Sequence, residues 1–506
     1  MALPGLGMGK AAKAMPGSLH EALLQDAHHA AQRLRSGQLT SLELTQALLK
    51  RIEAHNPALN AIITLDEDQA LEQARQADAE IAQGQWRGPW HGMPITIKDC
   101  FKTRGLRTTS GADELRDYIP KQDAVTVARL KQAGAIIIGK TNVSTWTGDW
   151  QTYNDLFGVT NNPWDLDRTP GGSTGGGAAA LAAGLSFLSL GSDMGGSIRL
   201  PAHFCGIYGH KPSLGVVPTQ GHVPPPPESM VPPPAHINVA GPLARSAQDL
   251  MTAMQVLGGP AGHKAAAYQW AMPTPRGIRL GDFRIGYVID DAFSPVVPEV
   301  RRVYEALIEA LQNAGVSTQG GWPSPIDATE HYETYLKAIY SHYAGEKTPE
   351  QMQQYREELA GELDFIETAR REGYRMSLPD YQALRQRQAQ AREQWQSVFE
   401  RFDVFLMPVS FIPAFPHDHR SPTSLRKHQT PQGPRNYREL SFWISFASLA
   451  GLPATVAPIG QTSGGLPVGI QIVGPFLEDA TPIQFAGALA EVMGGFQAPP
   501  DFAIQH

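Results

Sequence analysis

One region limits this chain more than any other: TPGGSTGGGAAALAAG, Thr169 to Gly184, followed by GSDMGGSIRLPAHFCG, Gly191 to Gly206. Glycine loses more backbone freedom on folding than any other residue, so glycine runs mark places where the chain must turn sharply or approach something closely. A serine sits inside such a run twice, at Ser173 and Ser197. The target of that close approach is a phosphate, a metal or a reacting carbonyl. Between the runs, Gly175 to Ser192 is uncharged and rich in Ala, Gly and Ser. It is shorter than the roughly 20 strongly apolar residues of a membrane-spanning helix, and it reads as a buried core helix.

A chain of 506 residues with 42% hydrophobic and 18% charged residues can bury a large core and is folded. A formal net charge of −7 without a Lys/Arg-rich run lacks the electrostatic footprint of nucleic-acid binding. Only Cys100 and Cys205 occur, which excludes a disulfide framework and favours a reducing compartment, with both thiols as inert packing groups. No apolar stretch near the N-terminus has the length of a signal peptide. Residues 1–17 therefore read as a flexible tail, the location as cytoplasmic, and membrane is excluded as a partner. GLGMGK, Gly5 to Lys10, lacks the preceding strand and the Ser or Thr of a phosphate loop.

Along the chain, Thr40 opens a capping box with Glu43, and Leu44, Leu48 and Ile52 follow at helical spacing until Asn56-Pro57 should stop the helix. Buried strands are predicted at Met93 to Asp99, Ala135 to Asn142, Asp403 to Pro408, Ala454 to Gly460 and Val468 to Gly474, alternating with helical patterns such as AVTVARLKQAG. This is an α/β pattern. Residues 298–401 are mostly helical and charge-rich. The segment 222–236 carries seven prolines and must be a loop. Either it is a plain surface connection or, starting 25 residues after Ser197, it acts as a lid over a site.

Gly171-Gly172-Ser173-Thr174-Gly175 matches G-x-S-x-G, but a nucleophile elbow needs a strand immediately before it, and NPWDLDRTP is a loop. No P-loop lysine follows the glycines and H-E-x-x-H is missing, so phosphate and metal readings fall away, and the His pair in PHDH, Pro416 to His419, reads as solvated. A serine is also activated by a lysine held neutral by burial. Lys98, at the end of the apolar strand PITIK, is the candidate, and a structural salt bridge from it to Asp99 or Asp193 is the competing reading.

Together GMPITIKD, GKTN, FGVTNNPWD, TPGGSTGGGAAALAAG, GSDMGGSIRLPAHFCGIYGHKPS, VAGPLARSAQDL and GLPATVAPIGQTSGGLPVGIQIVG resemble the amidase signature family of serine hydrolases, in order from about His20 to Leu477. Within that family the chain resembles the bacterial amidases and aryl acylamidases. The resemblance implies one α/β/α domain over 18–506 around a mixed sheet, and a Ser-cisSer-Lys triad without a cofactor or metal. Ser197 falls on the family's nucleophile, Ser173 on its bridging serine, Lys98 on its base, and the peptide Gly172-Ser173 on its cis bond. The two serines lie 24 residues apart, as in the family. It further implies an oxyanion hole from the backbone amides of Met194, Gly195, Gly196 and Ser197, with donors of this kind worth about 3 to 4 kcal/mol each. Gly172, Thr174, Asp193 and Arg199 would support the loops, and Trp146 and Trp150 would line the acyl pocket. Met194 stands where a small polar residue is common, and Thr174 where serine is common. Two function classes stay open. The first is a monomeric or homodimeric amidase for small apolar amides and anilides, extending to carbamates (urethanes) and esters. The second is a glutamine-hydrolysing subunit of a tRNA-dependent amidotransferase that works with partner chains.

Overall fold

The computed structural model describes residues 19–223, 236–345 and 347–503. The N-terminal segment 1–17 and most of the proline-rich segment lie outside the described residues. In chain order the strands are β1 (Ile62–Leu65), β2 (Pro94–Lys98), β3 (Ile136–Thr141), β4 (Tyr153–Asn154), β5 (Gly158–Val159), β6 (Ser189–Asp193), β7 (Tyr208–Lys211) and β8 (Val239–Ala244). They continue as β9 (Ile285–Tyr287), β10 (Thr318–Gly320), β11 (Val404–Pro408), β12 (Lys427–Thr430), β13 (Gly433–Asn436), β14 (Ala454–Gln461) and β15 (Pro467–Val473). Eleven of them form one sheet in the order β1-β3-β2-β6-β8-β7-β14-β15-β11-β9-β10. It is mixed: β2 runs parallel to β3 and β6, whereas β6 and β8 are antiparallel.

Strands β2, β3, β6, β11 and β15 are buried at every position, which requires cover on both sheet faces. Helices provide it, so the fold is the expected α/β architecture around a large mixed sheet. The segment 298–401 holds the helices Pro298–Asn313, Ala328–Ala344, Pro349–Glu358, Phe365–Tyr374 and Leu378–Val398. Among the described residues no helix is long and apolar enough to cross a membrane.

Two expected elements change. The predicted core helix over 175–192 ends at Ala182, Gly184 turns left-handed at φ +70°, and the chain re-enters the sheet as β6. A run of Ala, Gly and Ser carries no hydrophobic period, so helix and strand look alike there until β2 and β8 offer hydrogen-bond partners. The helix capped by Thr40 runs through Pro57 to Leu59 rather than stopping at Asn56. Its last turn is held because Leu59 is fully buried and Asn56 Oδ1 accepts the amides of Ala61 and Ile62.

Close approach explains the glycines of the helix Gly175–Ala182. A Cβ at Gly176 would lie 2.6 Å from the backbone N and O of Asn142, neither of which can swing aside. Gly176→Ala should therefore destabilise the fold by about 1 to 3 kcal/mol through overpacking. Gly281→Ala, where a Cβ meets nothing within 4 Å, should stay within about 0.5 kcal/mol of the parent. Denaturant midpoints measure both, and equal effects at the two sites would contradict this packing.

Candidate active site

Strands β2 and β6 lie side by side and parallel, pairing Ile97 with Leu190, so Lys98 and the Ser192-Asp193 pair emerge at the same end of the sheet. Lys98 is fully buried, and burial brings its amine down to about 8 against the opposing pull of Cys100 and Asp193. Its Nζ lies 2.8 Å from Ser173 Oγ, 3.0 Å from Ser192 Oγ and 3.5 Å from the Ser192 carbonyl. The competing salt bridge is not formed. Asp99 turns the other way, accepting from the Thr109 amide and hydroxyl and facing Lys140 Nζ at 3.7 Å.

Ser173 stands just before the helix Gly175–Ala182 and is 1% exposed. It follows a loop rather than a strand, and the Gly172-Ser173 peptide is cis. Gly172 has no room for a side chain, since a Cβ would lie 2.6 Å from the carbonyl oxygens of Asp149 and Gln151. The Thr174 amide donates to the Ser197 carbonyl at 3.2 Å, which joins the two serine loops, and Thr174 Oγ1 donates to the Ser192 carbonyl.

The second loop is built on Asp193. Its carboxylate accepts from the amides of Gly196, Ile198 and Arg199 at 2.9, 3.1 and 3.3 Å. It is also gripped by Arg199 through Nε at 3.0 Å and Nη2 at 2.9 Å, both side chains being fully buried. Burial alone would raise this carboxyl, but the guanidinium and the backbone donors hold it down to about 2. The expected oxyanion-hole set needs one correction. The Gly196 amide already points at Asp193, because the loop turns there through φ +94°. The amides of Met194, Gly195 and Ser197 have no acceptor among the described residues. Ser197 and Met194 are partly exposed, and Ser197 Oγ makes no hydrogen bond to Ser173.

Trp150 is brought to this loop, its indole Nε1 donating to the Gly195 carbonyl at 2.7 Å. Trp146 is not. It sits in the turn Thr145–Thr147 with φ +51°, and no hydrogen bond or ring contact ties it to the Ser197 loop among the described residues. A Cβ at Gly195 would lie 3.3 Å from Tyr335 Oη and 3.5 Å from Ile339, which places the helix Ala328–Ala344 against the loop.

Sequence reasoning missed Ser192, Tyr335 and His222. Cys100, expected to be an inert packing group, is fully buried, with its Sγ 3.4 Å from His222 Nε2 and 3.8 Å from Ser192 Oγ. Cys205 is the packing residue expected, with its thiol pushed far up by burial. Asp193→Ala should destabilise the protein by about 3 to 5 kcal/mol, because Arg199 would keep a buried charge without its partner. A denaturation midpoint shift corresponding to less than about 1 kcal/mol would contradict this anchoring role.

A family model described as Amidase matches residues 43–482. The A subunit of glutamyl-tRNA(Gln) amidotransferase from Roseiflexus sp. (strain RS-1) is 33% identical over 516 residues, covering 96% of this chain and 99% of that protein. Its namesake from Thermus thermophilus is 34% identical, covering 92% and 96%. Among solved structures, a bacterial aryl acylamidase of the amidase signature family superposes with a TM-score of 0.76 at 25% identity, covering 93% of this chain and 96% of that one. The chain belongs to the amidase family, the amidase signature enzymes.

Proposed function

We propose that this amidase signature hydrolase cleaves amide C–N bonds through an acyl-enzyme on Ser197, with Ser173 as proton carrier and Lys98 as base. The contact that supports this reading is the 2.8 Å approach of a fully buried lysine to a buried serine. An ammonium there would lose hydration, so the neutral amine is accessible near neutral pH. In the forward step the Lys98 lone pair takes the Ser173 proton while Ser173 Oγ takes that of Ser197. Ser197 Oγ then forms the bond to the carbonyl carbon. Amide N–H groups of Met194, Gly195 and Ser197 receive the developing oxyanion. The proton returns through Ser173 to the nitrogen as the C–N bond breaks, and water reverses the sequence to release the acid. The open gap between Ser197 and Ser173 closes on substrate binding, as catalytic hydrogen bonds commonly tighten only in the complex.

Substrate choice has two readings, each with its own support. Full-length likeness to the A subunits of amidotransferases gives the broader support to a glutamine-hydrolysing subunit that works with partner chains. The surroundings of the nucleophile loop favour a free-standing hydrolase of small apolar amides, anilides and carbamates. Trp150, Ile339 and the partly exposed Met194 border the loop. A free amino acid also needs counter-charges, yet Arg199 is taken by Asp193 and Arg426 by Asp149. A carbamate presents the same carbonyl and nitrogen to the same relay, so pocket shape alone decides.

A fluorophosphonate probe should label Ser197, and peptide mapping that finds the adduct on another serine removes the proposed nucleophile. kcat/KM should fall tenfold per pH unit below about 8 as Lys98 gains its proton and level off above it. Lys98→Ala should lose at least about 100-fold in kcat, and an unchanged rate would reject the base. With the isolated chain, an acyl anilide and an aryl carbamate should exceed glutamine in kcat/KM. Glutamine as the best substrate, or activity only with added partner chains, establishes the amidotransferase reading instead.

A further inference from the structure

We propose that His222 is a positioning residue for the base: by accepting the hydroxyl proton of Ser192, it keeps the Lys98 lone pair aimed at Ser173. The inference rests on the Lys98–Ser173–Ser197 relay. It follows from counting protons around Lys98. A neutral amine has two N–H groups and one lone pair, and Nζ has three neighbours: Ser173 Oγ, Ser192 Oγ and the Ser192 carbonyl. The carbonyl only accepts, so one N–H goes there. If the lone pair is to take the Ser173 proton, the second N–H must be donated to Ser192 Oγ. Ser192 then needs somewhere else to send its own proton.

His222 Nε2 lies 3.0 Å from Ser192 Oγ, whereas Cys100 Sγ, a weak acceptor, is 3.8 Å away. With Nε2 unprotonated, every donor in the chain points one way: Ser173 to Lys98, Lys98 to Ser192, Ser192 to His222. Cys100, whose Sγ is 3.4 Å from the same nitrogen, fits as a second donor to it. Without that acceptor, the strongest remaining acceptor for the Ser192 hydroxyl is the Lys98 lone pair itself. Lys98 would then donate to Ser173 and cease to be its base. The imidazole is held in place: its ring meets Phe101 edge-on at 5.1 Å, and the neighbouring Val223 amide donates to the Cys100 carbonyl at 2.7 Å. The charged and titratable groups around Lys98 are Cys100, Asp193 and His222, with the Asp99–Lys140 pair beyond Cys100.

His222→Leu should lower the plateau of kcat at least tenfold with KM little changed. The acid limb of the pH profile should move to lower pH, because a Ser192 hydroxyl that donates to Lys98 stabilises the neutral amine. His222→Gln, whose amide oxygen accepts, should restore most of the rate and the limb. In a Ser192→Ala background, where no hydroxyl competes, His222→Leu should have no further effect. A His222→Leu enzyme with the parent plateau and limb overturns the proposal, as does an equal loss in the Ser192→Ala background. The unmutated protein gives a test free of folding effects: histidine-selective nitrogen-15 NMR at the plateau pH should show Nε2 of His222 unprotonated, and a protonated Nε2 overturns it. Fluorophosphonate labelling separates this failure from that of the relay: a labelled Ser197 with a protonated His222 Nε2 removes only this inference, and an unlabelled Ser197 removes the relay.

Discussion

A buried lysine without a carboxylate against it is the constraint on which the site depends. Strand β2 is covered on both faces up to Lys98, so the amine is carried into the interior by the register of the sheet rather than by a flexible stem. There it meets hydroxyls and a carbonyl, which tolerate the neutral amine as well as the ammonium. Had Asp99 taken it as an ion pair, the ammonium would be favoured over the neutral amine. Asp99 is instead held by Thr109 and shared with Lys140, a second buried amine served by the Phe101 carbonyl and Thr108. Two adjacent strands thus carry two buried lysines that differ in their partners: Lys140 faces a carboxylate, and Lys98 faces the serine loops.

The serine loops are shaped by the opposite device, a buried ion pair at full strength. Asp193 accepts three backbone amides as well as both arms of the Arg199 guanidinium, so the turn between them has little freedom left. This divides the glycine-run amides into two groups. The Gly196 amide is bonded to Asp193, whereas those of Met194, Gly195 and Ser197 have no acceptor among the described residues. Arg199 extends the grip to the Ile444 carbonyl, Gln471 and Ser448, tying the loop to the strand β15 and the helix Ser441–Ala450.

Strands such as PITIK and VFLMP were legible because a continuous apolar run of that length has few other fates in an α/β chain. The region after Gly175 was not, since small uncharged residues carry neither helical nor strand period. The pairing of Lys98 with Ser173 was legible through the family likeness and the chemistry of serine–lysine relays. Local spacing carried no trace of it, because 75 residues separate the partners. His222 reaches Ser192 across 30 residues and Cys100 across 122, contacts that only the tertiary fold creates. Trp146 and Trp150 look equivalent in sequence. A left-handed turn at Trp146 and Thr147 separates them, and no hydrophobic pattern announces such a turn.

The most direct test of the account is a crystal structure of the enzyme stalled with a slowly hydrolysed carbamate. The relay predicts continuous density from Ser197 Oγ to the carbonyl carbon, with the carbonyl oxygen facing the amides of Met194, Gly195 and Ser197. Gly196 should remain bonded to Asp193, and Lys98 Nζ should stay within hydrogen-bond distance of Ser173 Oγ. A covalent group on any other residue, or a carbonyl oxygen bound without those amides, would contradict it.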